Sequence, residues 1–324
     1  MTYAKTRENK IAGALAKCAT VKHAGDGRWE FELVNGKTLG VSARLVDDWL
    51  LMEAPLADRL ARDAWWELLR LNAALQGISK FVVTRGSRSA HVRADVPLPG
   101  DEDPEGGCAS EFDGALTNRV LEACAGLKAA LRSFRGERAS DPVISAPPET
   151  PQGRAEDGIE ALRRLCGAAG WPFIERSSGK LMVDLDVRSG FYQAAVERRA
   201  EGAHLTVEVA RAEGFRETSR QALGRLLLET GARVRLARPS IDERQDQIVL
   251  RFEVRFATMP TAVELSRAFA SLSVACAMSG REARAIQDDA IARSYLAMIG
   301  GLAPEGQASL GAQASLPAPS GAGD

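Results

Sequence analysis

Residues Leu68–Leu98, LLRLNAALQGISKFVVTRGSRSAHVRADVPL, constrain the fold more than any other stretch, because a helix end, a helix stop and two strands follow one another without a break. Leu68, Leu69, Leu71 and Leu75 recur at helical spacing. Gly77 stands where a left-handed cap would close that helix. Phe81 and Val83, then Val92, Ala94 and Val96, alternate as half-buried strands do.

Working outward, Ile11, Leu15 and Cys18 predict a first helix from about Thr6 to Cys18. His23–Arg28 reads as a polar connection. Trp29, Phe31 and Leu33 then alternate, Asn35-Gly36 supplies a type I′ turn, and Leu39, Val41, Ala43 and Leu45 alternate back. In Gly36-Lys37-Thr38 no helix follows, so hairpin chemistry accounts for it better than a phosphate loop. A third strand, Trp49–Ala54, ends at Pro55, and a helix covers Ala57–Gln76. Pro99–Ser110 is an acidic Gly/Pro loop, and Glu111–Phe134 a last helix. The first unit, residues 1–135, is therefore α-β-β-β-α-β-β-α, with helices on one face of an antiparallel sheet and the other face solvated.

A Pro-rich linker, 136–157, separates this from a second pass through the same order in 158–299. Ile159, Leu162 and Cys166 repeat the first helical face. Leu181, Val183 and Leu185 supply a strand, with Trp171–Ile174 an alternative start for the sheet; Phe191–Arg199 and Leu205–Val209 follow. Arg216–Thr230 is the Leu-rich helix, stopped at Gly231; Val234 and Leu236 predict a fourth strand, Ile248–Phe256 a fifth, and Thr261–Met278 a helix. Gly280 is expected to interrupt that helix before a further one, Arg281–Ile299, which could pack on the other unit. The tail, 300–324, has the composition of a disordered segment. The fold class is thus α+β, two tandem units in one chain.

Leu68-Leu69-x-Leu71-Asn72-x-x-Leu75, the Lys80-Phe81 strand start and Ala94-Asp95-Val96-Pro97 resemble the superfamily shared by class I type III secretion chaperones and YbjN-like proteins. The resemblance implies a non-enzymatic, protein-binding role without a cofactor. Such chaperones are homodimers joined largely through the second helix and the strand after it. Two units in one chain then imply a monomer holding an internal pseudo-dimer, with Trp65 and Trp66 facing Leu223 and Leu227. The alternative puts both tryptophans inside one unit's own core.

Residue counts bound the rest. The chain has 324 residues, 45% hydrophobic, and a formal net charge of -1, so no global field steers it to nucleic acid. No apolar run reaches the ~20 residues of a membrane span, and the N-terminus lacks the apolar core of a signal peptide, so a cytoplasmic location is expected. Five widely spaced cysteines form no metal or disulfide pattern. His23, His91 and His204 do not converge, and Asp184 and Asp186 read as solvated strand residues. No metal site and no catalytic residues are assigned. Leu50, Met52, Tyr192 and Val196, out of phase with the expected core, are the candidate partner surface, by sheet edge or apolar groove. Arg233, Arg235, Arg251 and Arg255, read as alternating on two paired strands, are an alternative anion or nucleic-acid site; cross-strand pairing with Glu253 is the competing reading.

Overall fold

The protein is described by a computed structural model covering residues 3–35, 37–58, 60–61, 64–85, 89–98, 109–136, 155–176, 179–188, 190–199, 202–244 and 246–299. The tip of the Asn35-Gly36 turn, most of the acidic loop, most of the linker and the tail lie outside the described residues.

Two six-stranded antiparallel sheets and seven helices make an α+β architecture among the described residues. The first half runs α1 (Tyr3–Ala16), β1 (Val21–Gly25), β2 (Arg28–Asn35), β3 (Lys37–Val46), β4 (Trp49–Ala57), α2 (Ala64–Ala74), β5 (Ser79–Val83), β6 (Ala90–Pro97) and α3 (Ala109–Phe134). The second runs α4 (Ala155–Ala168), β7 (Phe173–Arg176), β8 (Lys180–Val187), β9 (Gly190–Arg199), β10 (Gly202–Ala212), α5 (Glu217–Arg233), β11 (Arg238–Arg244), β12 (Gln247–Phe256), α6 (Ala262–Ala285) and α7 (Asp289–Met298). Strand order is β1-β2-β3-β4-β6-β5 in one sheet and β7-β8-β9-β10-β12-β11 in the other, the same order in both.

The first half has one strand more than its sequence pattern predicts, and in the second the alternative sheet start at Trp171–Ile174 is where β7 begins. The expected polar connection at His23–Arg28 overlaps β1, whose Val21 pairs with Phe31 of β2, and Gly25, Asp26 and Gly27 turn the chain at positive φ. The counterpart, β7, is four residues long and mostly exposed. Short edge strands with one partner carry little apolar alternation to read. The expected strand at Val234 and Leu236 is instead the loop after α5, with Leu236 at φ +54; the strand itself is β11, whose Pro239 is tolerated because β11 is a sheet edge.

Asn72 shows why its motif matters to the fold: its side chain donates to the Phe81 carbonyl at 3.1 Å and accepts from the Phe81 N–H at 2.7 Å, joining α2 to β5. Gly280 does not break α6. A Cβ there would lie 2.0 Å from the Tyr192 hydroxyl, so glycine admits the ring against the helix. Gly280→Ala should cost about 1–3 kcal/mol by overpacking, read as a lower urea midpoint, and Tyr192→Phe in the same chain should recover part of it. Equal midpoints for Gly280→Ala and wild type would sink this account. Helix α6 opens with a capping box between Thr261 and Glu264, and α7, capped by Asp288, packs on α5 of its own half.

Candidate functional site

The four residues expected to form a partner surface are in the core. Leu50, Met52 and Val196 are 0% exposed and Tyr192 is 5% exposed. Tyr192, Ala194 and Val196 pair across the ladder with Leu185, Val183 and Leu181, so they share the inward face; the expected phase is wrong by one residue. On β4 the phase cannot be read at all, because Leu50, Leu51 and Met52 are all buried.

That double burial arises because the second sheet face is not solvated at β5 and β6. Helix α5 packs on β5, α2 packs on β11, and the two helices pack on each other. Gly224 sits at the helix contact, where a Cβ would come 3.1 Å from Cβ of Trp65. Both tryptophans meet the second half: Arg225 stacks over Trp65 at 5.3 Å and Arg220 over Trp66 at 5.8 Å. The Trp66 indole donates to Glu243 at 3.2 Å and meets Phe215 edge-on at 5.9 Å. Leu223 and Leu227, both fully buried, lie on α5. Arg70 of α2 binds both oxygens of Glu243, at 2.9 and 3.0 Å.

Two buried charge clusters close the junction, each carried by one half and spent on the other. On the first sheet, Asp95 accepts from Lys80 at 2.7 Å and from Arg93 at 2.6 Å. Lys80 also donates to the carbonyls of Val234 (2.6 Å) and Ala237 (3.3 Å), Arg93 to that of Ala232 (2.6 Å), and Asp95 accepts from the Leu236 N–H (2.9 Å). On the second sheet, Glu253 is bound by Arg238 at 3.1 Å, Arg255 at 3.0 Å and His204 at 2.9 Å, with Arg251 at 3.6 Å. Arg238 donates to the carbonyls of Gly77 and Ser79, and Arg255 to those of Ala73 and Leu75. Cations thus satisfy the orphan carbonyls at the C-terminal ends of α2 and α5, where the helix dipole also favours positive charge.

Burial sets the electrostatics. It pulls the Lys80 ammonium down to about 8 against the raising effect of Asp95, and the Arg238 guanidinium down to about 10 against Glu253. Burial opposes the Glu253 charge, but Arg238, the His204 hydrogen bond, Arg255 and Arg251 outweigh it and hold the carboxyl at about 2. Burial opposes the Asp95 charge too, and Lys80 and Arg93 carry it below the ordinary carboxylate range. His204 of β10 is buried, and burial lowers its pKa.

The expected arginine face is not assembled. Arg233 ends α5 and Arg235 lies in the following loop, while Arg251 and Arg255 turn into the junction, Arg251 on Ser240 and Asp242 and Arg255 on Glu253 and α2. Cross-strand pairing is what the geometry contains. The cluster's Lys80, Arg93, Asp95 and Arg238 were missed because paired buried charges resemble solvated ones in sequence. The one available signal was a pair of charged residues, Lys80 and Asp95, within the most apolar strands.

Among the described residues, no group of three or more His, Cys, Asp and Glu side chains could hold a metal, and no helix is long and apolar enough to cross a membrane. Two depressions open to solvent. One, of about 640 Å³, lies on the first half and is lined by Cys18, Lys22, Glu30, Glu32, Val34 and Lys128 among others. The other, of about 510 Å³, lies on the second sheet and includes Met182, Phe191, Gln193, Thr206, Glu208 and Arg284. Val34 (70% exposed) and Phe191 (63%) project there, and Ile174 (60%) stands on the edge strand β7. Such surfaces offer apolar contact and edge-strand backbone. Comparison with protein-family models, with curated proteins and with solved structures gives no match.

Proposed function

We propose that the protein is a non-enzymatic, cytoplasmic polypeptide-binding module, two chaperone-like units joined in one chain as a pseudo-dimer. The observation that carries this reading is the reciprocal junction: α2 lies on β11 while α5 lies on β5, and each half's buried charges cap the other half's helix. This is the helix-and-strand pairing that the resemblance to type III secretion chaperones and YbjN-like proteins implies. Lys80, Arg238 and Glu253, all buried charges, are consumed in holding it. The two outward depressions and the edge strands are open to a partner, with Val34, Ile174 and Phe191 as apolar contacts in place of the buried Leu50, Met52, Tyr192 and Val196.

The test is affinity purification of the tagged chain at moderate and high salt, repeated with Val34→Asp and Phe191→Asp. A defined polypeptide should be retained at high salt, and the depression it uses should be identified by a roughly tenfold or greater loss on substituting its apolar contact. Retention of nucleic acid at moderate salt and its loss at high salt would overturn the reading. So would capture indifferent to both substitutions.

A further inference from the structure

Three arginines at the rim of the junction stay outside the ion pairing that engages Arg93, Arg238 and Arg255. Arg28 of β2 and Arg44 of β3 are Cα partners across the ladder, both exposed and both on the face turned away from the buried Trp29 and Ala43. The same cross-strand row continues from Arg44 to Leu51 of β4 and then to Asp95 of β6. There Asp95 accepts from the Leu236 N–H at 2.9 Å, which sets the preceding residue, Arg235, at the far end of the row. Two strand spacings, about 10 Å, separate Asp95 from Arg44, a gap that two arginine side chains can close from opposite ends. Among the described residues, the guanidiniums of Arg28, Arg44 and Arg235 make no hydrogen bond or ion pair. Two residues before Asp95 on the same face, Arg93 is 5% exposed, and its Nη2 has no partner among those residues either.

Like charges directly opposite on a sheet repel, and a buried donor without an acceptor adds the cost of its lost hydration. A bound oxyanion would offset both. We propose that Arg28, Arg44 and Arg235 form a binding site for a small phosphate compound, gripping its dianionic phosphoryl group, with Arg93 as the buried cation behind them. The guanidiniums come from β2, from β3 and from the loop after α5, and so reach the ligand from three directions. A tetrahedral phosphoryl group presents oxygens in as many directions, whereas one guanidinium fork satisfies a planar carboxylate.

The electrostatics of Arg235 agree with this assignment. Burial holds its guanidinium below the ordinary arginine value, Arg93 and Arg44 add to that effect, and Asp95 and Asp47 oppose it. An incoming dianion acts in the same direction as the two carboxylates. The site lies outside both depressions and does not depend on polypeptide binding.

The test uses the full-length protein and inorganic phosphate alone, with sodium chloride at matched ionic strength as the reference. Calorimetric titration should find one phosphate per chain, and phosphate should raise the thermal midpoint above its value in chloride. Arg44→Gln should weaken binding roughly tenfold, and the double change with Arg28→Gln should weaken it further. In chloride alone neither change should lower the midpoint, because each removes a repulsion; arginines with a purely structural role would behave in the opposite way. Arg164→Gln, at an exposed arginine of α4, should bind phosphate as wild type does. The proposal is overturned if phosphate stabilises no more than chloride, if the double variant binds as wild type does, or if Arg164→Gln costs as much as Arg44→Gln. Polyglutamate binding as tightly as phosphate would overturn the phosphoryl assignment.

Discussion

Asp95→Ala is expected to remove about 3–5 kcal/mol from the stability of the whole chain, the cost of leaving buried charge uncompensated. Its two cations, Lys80 and Arg93, are 0% and 5% exposed and would keep no carboxylate partner in the cluster. The substitution also takes the acceptor from the Leu236 N–H, the bond that holds a non-glycine residue at φ +54 in the loop after α5. Left-handed backbone is costly for a branched side chain, so the loop should loosen with the charge pair. The measurement is a urea titration of wild type and variant. A triple variant, Lys80→Met with Arg93→Leu and Asp95→Leu, should cost much less than the sum of its single changes, because no charge is then stranded. A loss below about 1 kcal/mol for Asp95→Ala would show that water reaches the cluster and that the lock is not closed.

The same geometry makes the two halves one cooperative body. Lys80 and Asp95 belong to the first sheet but bind the loop after α5, and Arg93 binds the last turn of α5; Arg255 belongs to the second sheet but binds the end of α2, and Arg238 binds Gly77 and Ser79 beyond it. Arg119 of α3 adds a two-pronged bond to Glu264 of α6, at 2.7 and 2.9 Å. Neither half can open its last hairpin without exposing the other's helix end.

How far the sequence discloses this depends on whether a residue's environment is local. The apolar period of Leu181, Val183 and Leu185 is created by one covered face, the alternate positions of β8 being more open, and is read directly. Leu50, Leu51 and Met52 are covered on both faces: Leu51 pairs with Asp95 on the side turned to the second half, so alternation vanishes and the partner surface was misassigned. In sequence Gly280 resembles a helix breaker because nothing near it indicates the Tyr192 ring that needs the space. The arginines were misread for the same reason. Arg255 finds its carbonyls on α2 and Arg93 on α5, and partners so distant in the chain leave no periodic trace.

Acid should unlock the second cluster before the hydrophobic core fails. Glu253 has its carboxyl lowered from 4.5 to about 2 in the folded chain, so the folded state holds its charge where the unfolded state would take a proton. Its contribution is complete above pH 4.5 and is lost as the pH falls toward 2, an amount on the order of 3 kcal/mol for a shift of that size. His204 acts in the same direction from higher pH, since burial depresses it below 6.5 and the unfolded chain protonates first. Asp95 and Glu264, both lowered, steepen the loss. Glu253→Gln isolates the carboxylate. At neutral pH the variant leaves Arg238, Arg251 and Arg255 facing a neutral amide and should be less stable than wild type by a similar amount. Below pH 4.5 the wild-type carboxyl approaches the same neutral state, so the two urea midpoints should draw together. Parallel pH profiles would mean that the three arginines are not held by this carboxylate, and the reciprocal capping of α2 would lose its anchor.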